Sequence, residues 1–513
     1  MRREDIRGEP TAASRASVKC GRCVKKQKVE NEPVDESLDI TDDELRELSA
    51  QTVALVADYF ARVSELPVFS ETDAARVANR LRTSLPIKGE KLATLMEDCR
   101  AVIDASRHNG HPRFFGYVAS PSTPAGAFAD LVASALNANV TSWRSAPAGV
   151  EVERTVVRWL GSLIGYDEDA RGLLTSGGSM ANLNALLIAH RVKARDETSR
   201  RGLRAAEAVM TVYSSDQVHM SVVKAADVLG LGREQVRLVP SDGRLRLDVR
   251  ALRERIAGDI HEGLRPFCVV ANAGTVNTGA VDPLAEAAEV AAEHDLWFHV
   301  DGAYGAPAAL DETKRALFEG IERADSVSLD PHKWLYAPVD AGCLLFRDER
   351  AVSRVFQSFD ADYIKVHEQA EDEAFAFWDY GLELSRRFRA LKIWLMLRYY
   401  GTRRVAAAIS KGNRLAAELG ALVVAADDFE LLAPVELSIC CFRYVTPDAR
   451  ADEELNELNA RIMHKVQRGG RAYLSNAIIG GRYGLRACIT NFRTTSRDIR
   501  ATLDIVREAA HTL

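Results

Sequence analysis

Long apolar runs are missing from the sequence: none approaches the roughly 20 residues that span a bilayer. A strong charge of one sign is missing too, because 67 Lys and Arg residues against 73 Asp and Glu residues leave a net charge of −6. We therefore expect neither a membrane nor a nucleic acid as a partner. Residues 1–38 are charged and carry neither an apolar period nor a hydrophobic central segment, so we expect a disordered tail rather than a secretory signal peptide.

Cysteine is sparse and scattered, with eight residues along the 513. That usage is typical of reduced thiols, and we expect a cytoplasmic protein. Cys20 and Cys23 form a CxxC pair in the tail, but no second CxxC or histidine pair lies near them, which disfavours a zinc site. No metal is therefore expected. Nucleotide-binding patterns are absent as well, since neither GxGxxG nor GxxxxGK followed by Ser or Thr occurs.

Apolar residues, counted with cysteine and the aromatic residues, make up 47% of the sequence, a share that is typical of a soluble protein. From Thr41 to about residue 107 they recur at intervals of three and four, and Thr41 and Glu44 have the spacing of a capping box, so we predict helices. Residues 111–124 are rich in Pro, Gly, Ser and aromatic residues and predict an extended loop. The chain is too long for one hydrophobic core, so we expect two or three domains.

Residues 131–350 alternate helical stretches with short apolar runs. This alternation predicts an α/β fold with a mostly parallel sheet and helices on both faces. A further helix is predicted over 385–400, and from about residue 403 the chain mixes a strand at 436–444 with helices. The strands predicted for the sheet are 171–175, 209–213, 267–271, 296–300, 326–329 and 342–346.

A turn of small residues, Thr175-Ser-Gly-Gly-Ser-Met-Ala-Asn182, stands between the first of these strands and a predicted helix. Small residues let a backbone approach a ligand closely, and the N-terminus of the helix offers free N–H groups and the positive end of a dipole to a phosphate. Gly178 and Ser179 are the best-placed donors. A Gly-Gly turn before a helix is usually no more than a turn, so this prediction depends on residues downstream.

Two chemically matched side chains follow neighbouring predicted strands: Asp301 ends the run at 296–300, and Lys333 comes shortly after the run at 326–329. One carboxylate and one amine at such positions suit pyridoxal phosphate, whose ring nitrogen pairs with a carboxylate and whose aldehyde condenses with a lysine. Partial burial and a cationic His332 beside it would favour the neutral amine that this chemistry needs. Taken singly, an aspartate such as Asp301 is more often a helix cap or a solvated loop carboxylate, and most lysines lie on the surface.

His219 follows the strand predicted at 209–213. A lone histidine is more often a structural hydrogen-bonding residue than a catalytic one. Here its planar ring could stack on one face of the cofactor, with the small Ala303 under the other face.

Together these motifs resemble those of the pyridoxal-phosphate-dependent group II amino-acid decarboxylases, which include aromatic-amino-acid, glutamate and diaminobutyrate decarboxylases. The resemblance runs from about Glu44 to the C-terminus, and six motifs occur in the family's order. They are His111-Pro-Arg-Phe-Phe-Gly-Tyr117, Thr175-Ser-Gly-Gly-Ser179, Ser214-Ser-Asp-Gln-Val-His219, His299-Val-Asp-Gly-Ala-Tyr304, Asp330-Pro-His-Lys-Trp334 and Ser385-Arg-Arg-Phe-Arg-Ala-Leu-Lys392.

The resemblance implies the type I fold of pyridoxal-phosphate-dependent transferases, in a homodimer whose active sites lie at the subunit interface. On this basis we expect a disordered tail at 1–38, an N-terminal helical dimerisation segment at 39–115, a large cofactor-binding domain at 116–402 and a small C-terminal α+β domain at 403–513.

The matching motifs also imply roles for single residues. Lys333 would form the internal aldimine, Asp301 would pair with the ring nitrogen and His219 would stack on the ring; with Phe377, these are the predicted catalytic residues. The predicted cofactor-binding residues are Gly178, Ser179, His219, Thr275, Asp301, Ala303, His332 and Lys333. The predicted substrate residues are Tyr117, Ser120, Trp143 and Arg486, the last at the position that receives the substrate carboxylate in the glutamate-specific branch.

The implied activity is decarboxylation of an L-amino acid to the amine and carbon dioxide, through the Lys333 aldimine and a quinonoid. Tyr117, Trp143 and Phe377 could line a pocket for an aromatic substrate, which we favour because no counter-charge for another side chain stands out. An acidic or diamino substrate is the alternative.

Three positions depart from the family's pattern. Met180 stands where aromatic and glutamate members often carry Glu. Asp330 stands where the aromatic branch has Asn near the phosphate, and a carboxylate there would repel the phosphate unless turned away. Phe377 stands where aromatic-specific members carry a tyrosine on a mobile loop, thought to protonate the quinonoid carbon.

In some relatives a phenylalanine at this last position accompanies an oxygen-consuming reaction that forms an aldehyde, so this reaction is the second functional hypothesis. Tyr363 or Tyr380 would replace the missing tyrosine if the loop is threaded differently. A third hypothesis, a catalytically idle binding protein, is disfavoured because the lysine, the aspartate and the histidine are all present.

Overall fold

The computed structural model describes residues 37–194, 198, 201–206, 208–356, 373–446 and 451–513. Cys20, Cys23 and Tyr363 lie outside these residues, as does nearly all of the tail predicted at 1–38. The chain divides into two compact units, residues 1–52 and 53–513. The described part of the first unit is a short stretch without regular secondary structure, followed by the start of helix α1 (Asp42–Arg62).

The capping box predicted at the start of α1 is confirmed. The Glu44 N–H donates to Oγ1 of Thr41 at 3.3 Å, and the Thr41 N–H donates to Oε2 of Glu44 at 2.9 Å. Two more helices follow, α2 (Ala74–Leu81) and α3 (Leu92–Asp104), as the apolar period predicts. The residues between α3 and α4 (Pro124–Leu136) run in extended and turn conformations, which confirms the predicted loop.

Seven of the described strands form one sheet, in the spatial order β1–β7–β6–β5–β4–β2–β3. They are β1 (Arg171–Thr175), β2 (Met210–Ser215), β3 (Val236–Val239), β4 (Arg265–Asn272), β5 (Trp297–Asp301), β6 (Ser326–Leu329) and β7 (Gly342–Phe346). Strand β7 is antiparallel to both of its neighbours, and the other pairs are parallel. The mostly parallel sheet is therefore confirmed.

Helices cover both faces of this sheet. Strands β2, β5, β6 and β7 are buried at every residue. Because successive side chains point to opposite faces, such strands need cover on both sides. The described helices of this part of the chain include α5 (Pro147–Leu163), α6 (Gly178–Lys193), α7 (Met220–Val228), α8 (Val249–His261), α9 (Leu284–Glu293), α10 (Glu349–Phe356) and α11 (Ala390–Tyr400).

A smaller antiparallel sheet follows, in the order β10–β11–β9–β8. Its strands are β8 (Phe429–Leu431), β9 (Ile439–Tyr444), β10 (Ser475–Ile479) and β11 (Arg482–Cys488), and its helices are α12 (Thr402–Val424), α13 (Asp452–Arg468) and α14 (Ser496–His511). This α+β arrangement agrees with the mixture of strands and helices predicted after residue 403. The domain boundaries themselves stay predictions.

Three strands of the large sheet, β1, β6 and β7, have the predicted bounds, and β2, β4 and β5 differ by one or two residues at an end. The apolar pattern does not predict strand β3, because its sequence, Val-Arg-Leu-Val, is short and carries a charge. In the described part of the chain, no helix is both long and apolar enough to cross a bilayer.

The sheet topology places several loops together. Strands β2, β4, β5 and β6 are parallel, and β1 runs in the same direction as β6 because both are antiparallel to β7. The carboxyl ends of these strands therefore meet at one edge, where ligands of open α/β sheets commonly bind.

Candidate active site

A cavity of about 570 Å³ lies at this edge, within the size range of small-molecule sites. The turn after β1, the loops after β2, β4, β5 and β6, and residues of β10 and β11 contribute to it. Nine of the predicted site residues line the cavity: Tyr117, Gly178, Ser179, His219, Asp301, Ala303, His332, Lys333 and Arg486. Four do not: Ser120, Trp143, Thr275 and Phe377.

Lys333 projects into the cavity from the turn after β6. Its backbone N–H donates to the carbonyl oxygen of Asp330 at 2.9 Å, and its ammonium lies 2.8 Å from Oδ2 of the same residue. Burial lowers the pKa of His332, so its imidazole is neutral near pH 7. The expectation of a cationic His332 beside the amine is therefore wrong, and Asp330 is the charged neighbour instead.

Asp301 is the last residue of β5 and is 7% exposed. Its Oδ1 accepts from the Ser328 hydroxyl and from the Ala303 N–H, each at 3.1 Å, and its Oδ2 accepts from Asn182 at 2.7 Å. Burial by itself raises the pKa of Asp301, but the opposite charge of Lys333 and further favourable contacts hold it below its ordinary value. Asp301 is thus a buried carboxylate that stays ionised, as a partner for a protonated ring nitrogen must.

Asn182, the fifth residue of α6, connects Asp301 to the start of α7. Its amide nitrogen donates to Asp301 Oδ2 and, at 2.9 Å, to Oγ of Ser221. Its Oδ1 lies 3.0 Å from Nε2 of His299, whose pKa burial lowers to about 4. A neutral His299 that donates from Nε2 fixes the orientation of the amide. Sequence reasoning missed this role, although Asn182 closes the predicted phosphate turn.

His219 caps the N-terminus of α7. Its Nδ1 accepts from the Ser221 N–H at 3.3 Å and lies 2.8 Å from the Ser221 hydroxyl. Accepting at Nδ1 places the proton of the neutral ring on Nε2. Burial lowers the pKa of His219 in spite of the Asp301 carboxylate nearby, so the ring is neutral at pH 7. Stacking on a cofactor between His219 and Ala303 stays a prediction.

The small-residue turn leads directly into α6, which begins at Gly178. A Cβ atom on Gly178 would lie 2.9 Å from both Ala303 Cβ and Oδ2 of Asp330, so no larger residue fits without displacing a neighbour. The first N–H groups of the helix, at Gly178 and Ser179, have no intrahelical acceptor and face an anion favourably. This arrangement is compatible with the predicted phosphate site, and the role of the two residues in binding a phosphate stays a prediction.

Arg486, on β11, is 3% exposed and lines the cavity. Its Nε donates to the Asn277 carbonyl at 3.1 Å, and its Nη1 donates to the Tyr117 carbonyl at 2.8 Å and to Ser475 Oγ at 3.1 Å. Tyr117 has a φ of 57°, an unusual backbone conformation for a tyrosine. Nη2 of Arg486 is buried without a hydrogen-bond partner among the described residues, which leaves a donor available to a ligand.

Thr275 and Ser120 lie close to the cavity without lining it. Thr275 is buried, and its hydroxyl is 3.0 Å from that of Thr278. Ser120 donates from its hydroxyl to the main-chain oxygen of Lys333, so it supports the backbone of the lysine rather than a ligand.

Trp143 and Phe377 do not line the cavity: Phe377 is part of the core of the large sheet, and the partly buried Trp143 packs against that core. The Trp143 N–H donates to the Phe375 carbonyl at 3.0 Å, and its side chain packs against the core of the large sheet. The Phe377 ring is buried, with the Arg386 guanidinium 4.0 Å from its centre. Arg386 in turn pairs with the buried Glu153, so Phe377 shields an ion pair in this chain. The catalytic role of Phe377 stays a prediction.

The residues present fit pyridoxal phosphate. One cavity contains a lysine amine, an ionised buried carboxylate and the N-terminus of a helix whose first residue has no side chain. An amine for the aldehyde, a carboxylate for the ring nitrogen and backbone donors for the phosphate are the groups that this cofactor requires. Asp330 is the one feature that fits poorly, because its carboxylate lies against Gly178.

Comparison with known proteins agrees with this chemistry. The model of the pyridoxal-dependent decarboxylase conserved domain matches residues 75–445. An aromatic-L-amino-acid decarboxylase of Bacillus atrophaeus is 38% identical over 465 residues, which cover 90% of this chain and 95% of that protein. A phenylacetaldehyde synthase of Arabidopsis thaliana is 30% identical over 91% of this chain and 96% of its own length.

Among solved structures, TDC of Oryza sativa with PLP and tryptamine superimposes with a TM-score of 0.85 and 28% identity, covering 92% of this chain and 99% of that one. The type I fold is thereby confirmed. With the lysine, the carboxylate and the phosphate turn gathered in one cavity, this chain belongs to the pyridoxal-dependent decarboxylase family and is a pyridoxal-phosphate-dependent amino-acid decarboxylase.

Proposed function

We propose that the enzyme decarboxylates an aromatic L-amino acid to the corresponding amine and carbon dioxide. The observation that carries this proposal is the set of charges in the cavity. Asp301 and Lys333 serve the cofactor, Asp330 pairs with Lys333, and Arg486 serves the substrate carboxylate. No other Asp, Glu, Lys or Arg of the described chain lines the cavity, so it offers no counter-charge to an acidic or basic substrate side chain.

The relatives support an aromatic substrate. The Bacillus atrophaeus protein, at 38% identity, is an aromatic-L-amino-acid decarboxylase, and tyrosine decarboxylases are about 30% identical to the chain. Tyr117 and Tyr304 add aromatic surface to the cavity. The Tyr304 ring is itself stacked on Trp334, with ring centres 5.2 Å apart and planes within 6°.

Pyridoxal phosphate, when bound, supplies an aldehyde that takes up the substrate amine and a ring that accepts the electrons of the breaking bond to the carboxylate. In this proposal Lys333 holds the cofactor and exchanges protons at its Nζ. Asp301 keeps the ring nitrogen protonated, and Gly178 with Ser179 binds the phosphate. Arg486 binds the substrate carboxylate through its free Nη2 and so fixes which bond to Cα is broken.

The aldehyde-forming reaction is the second candidate. The phenylacetaldehyde synthase of Arabidopsis thaliana is 30% identical to the chain, less than the 38% of the decarboxylase from Bacillus atrophaeus. The Phe377 ring lies against Arg386 rather than in the cavity of this chain, so the residue on which this alternative depends has no contact with the site here. We therefore favour amine formation over the aldehyde-forming reaction.

We further propose that the enzyme is a cytoplasmic homodimer with active sites at the subunit interface. An exposed apolar stripe on α4, with Leu131, Val132 and Leu136 between 53% and 61% exposed, supports a partner surface. The six described cysteines are free thiols, which supports a reducing compartment.

The experiment combines cofactor trapping with a substrate screen. Borohydride reduction of the enzyme loaded with pyridoxal phosphate should attach the cofactor to Lys333, as located by peptide mass spectrometry. The loaded enzyme should then release carbon dioxide from an aromatic amino acid without consuming oxygen. Lys333→Ala should abolish both the label and turnover, whereas Lys411→Ala, which removes a lysine that does not line the cavity, should retain both.

Turnover in the Lys333→Ala enzyme would contradict the assignment of the lysine. Release of carbon dioxide from glutamate or diaminobutyrate in preference to aromatic amino acids would contradict the substrate class. Oxygen uptake in proportion to carbon dioxide release would favour the aldehyde-forming reaction.

A further inference from the structure

Asp330 follows β6 directly and is 1% exposed. Its Oδ2 lies 2.8 Å from the Lys333 ammonium. Its Oδ1 is buried and has no hydrogen-bond partner in the described part of the chain. A buried carboxylate with an unpartnered oxygen is unfavourable by itself, and the contact with Lys333 offsets part of that cost.

The same carboxylate lies against the first residue of α6. A Cβ atom on Gly178 would be 2.9 Å from Asp330 Oδ2 and 3.4 Å from Cγ. The N-terminus of this 16-residue helix attracts an anion, which under the proposed function is the cofactor phosphate. An anion that belongs to the chain itself is therefore already present beside the expected phosphate position.

The positive charges near Asp330 are few. Lys333 and Arg486 are the lysine and arginine side chains that line the cavity in the described chain, and the Arg486 guanidinium already donates to the backbone carbonyls of Asn277 and Tyr117. Nε2 of His332 is 3.9 Å from Asp330 Oδ2, but burial lowers the pKa of His332 and leaves it neutral near pH 7. A phosphate and the Asp330 carboxylate would therefore compete for the same two positively charged partners, the Lys333 ammonium and the N-terminus of α6.

We propose that Asp330 is an internal competitor of the cofactor phosphate and lowers the affinity of the site for phosphorylated ligands in particular. The inference rests on the proposed function, because it takes pyridoxal phosphate as the cofactor. Repulsion between the carboxylate and a phosphate acts on a ligand that carries a phosphate and spares one that does not. The quantity that reports on Asp330 is thus the preference for the phosphorylated form of one ligand over its unphosphorylated form.

The test compares pyridoxine 5′-phosphate with pyridoxine. Both carry the same ring and neither carries the aldehyde, so Lys333 cannot join either of them covalently. Calorimetric titration of the cofactor-free, full-length enzyme gives a Kd for each ligand. In Asp330→Asn we expect pyridoxine 5′-phosphate to bind about tenfold more tightly than in the wild type, while the Kd of pyridoxine changes by less than about twofold.

Asp340→Asn is the matched control. The Asp340 carboxylate belongs to the same loop between β6 and β7 but pairs with Arg389 at 3.0 Å and does not line the cavity. The substitution removes the same charge from the chain, so it should leave the preference for the phosphorylated ligand at the wild-type value. A gain in Asp340→Asn equal to that in Asp330→Asn would mean that net charge, not the position of Asp330, sets the preference, and would overturn the inference.

An Asp330→Asn enzyme with an unchanged or weaker preference would also overturn it. If that variant does not fold, Asp330→Ser removes the same charge and is titrated in its place. Failure of the proposed function would give a different result. In that case, borohydride reduction of the wild-type enzyme in the presence of pyridoxal phosphate would leave no cofactor attached to Lys333. A labelled wild type with an unchanged Asp330→Asn preference contradicts the Asp330 inference alone.

Discussion

Asp301 illustrates how a carboxylate stays charged inside a protein. Burial alone would raise its pKa and neutralise it, but Lys333 supplies an opposite charge and three hydrogen-bond donors contact its oxygens. One of these donors, Asn182, also reaches Ser221, which holds His219. A single residue thus contacts both the buried Asp301 carboxylate and the Ser221 hydroxyl beside the His219 ring.

We predict that Asn182→Leu lowers kcat by about tenfold to a hundredfold, because hydrogen bonds to charged groups contribute about 1.5–3 kcal/mol. KM should change less, since the proposed contact of the substrate carboxylate is with Arg486. Steady-state kinetics of the loaded enzyme, with the pH dependence of its cofactor absorbance, measures both effects. The absorbance should titrate at a different pH in the variant because Asp301 loses a donor.

The control for this prediction is Asn184→Leu. Asn184 is a buried asparagine on the same helix, but its amide donates to the Met180 carbonyl at 2.9 Å and takes no part in the Asp301 network. Equal losses of kcat in the two variants would indicate damage to α6 in general and would contradict the positioning role of Asn182.

Helix α6 is the element that brings the phosphate turn and Asn182 to one cavity. Its first residue, Gly178, lies in contact distance of the loops after β5 and β6. A helix start offers donors to an anion only if the backbone can be approached closely, which a side chain at this residue would prevent. The glycine is therefore required here by space rather than by backbone conformation.

We predict that Gly178→Ala weakens binding of pyridoxal phosphate, because its methyl group would lie 2.9 Å from Ala303 and Asp330 and force them apart. Equilibrium titration followed by cofactor absorbance should show a rise in Kd of about tenfold or more, for a loss of 1.4 kcal/mol or more. Gly258→Ala is the control, since Gly258 lies inside α8 with open space around it. That variant should keep the wild-type Kd and gain about 0.5–1 kcal/mol in stability. Unchanged binding in Gly178→Ala would contradict a close approach of the phosphate.

For the whole molecule, three buried histidines link stability to pH. Burial lowers the pKa values of His111, His190 and His299 to about 4, from an ordinary 6.5. Between pH 6.5 and 4 the unfolded chain binds protons at these residues and the folded chain does not. The contribution of these histidines to the free energy of unfolding is therefore fully present above pH 6.5. It falls as the pH is lowered from 6.5 to 4, by up to about 3 kcal/mol for each histidine.

We predict that His190→Leu reduces this loss. Nε2 of His190 has no partner among the described residues, and its ring packs edge-on against Phe267, so an apolar side chain suits the site. Urea unfolding at pH 7 and pH 5 should show that the variant loses about 2 kcal/mol less than the wild type over this interval. The same loss in both proteins would mean that His190 titrates normally in the folded state.

The proposed homodimer is tested at the α4 stripe. We predict that Leu131→Lys, which places a charge on this apolar surface, shifts the enzyme from dimer to monomer in light scattering after size-exclusion chromatography. Val424→Lys is the control, because Val424 is 70% exposed but lies outside the stripe. A dimer that persists in Leu131→Lys would show that α4 is not the dimer surface.

Much of the fold and part of the site follow from local patterns along the chain. Several features depend on residues within a few positions of one another. They are the capping box at Thr41 and Glu44, the bounds of β1, β6 and β7, the position of Asp301 at the end of β5 and the position of Lys333 shortly after β6. Backbone conformation and apolar periodicity act over this range, and parallel strands then bring their carboxyl ends to one edge.

The contacts that complete the site are of another kind. Asn182 and Asp301 are 119 positions apart, and Arg386 and Glu153 are 233 positions apart, so no local pattern indicates that they meet. The placement of Phe377 beneath Arg386, away from the cavity, likewise depends on packing between distant segments. Sequence spacing specifies which side chains end each strand, whereas hydrogen bonds and packing between remote segments specify how those side chains are oriented and which of them reach the ligand.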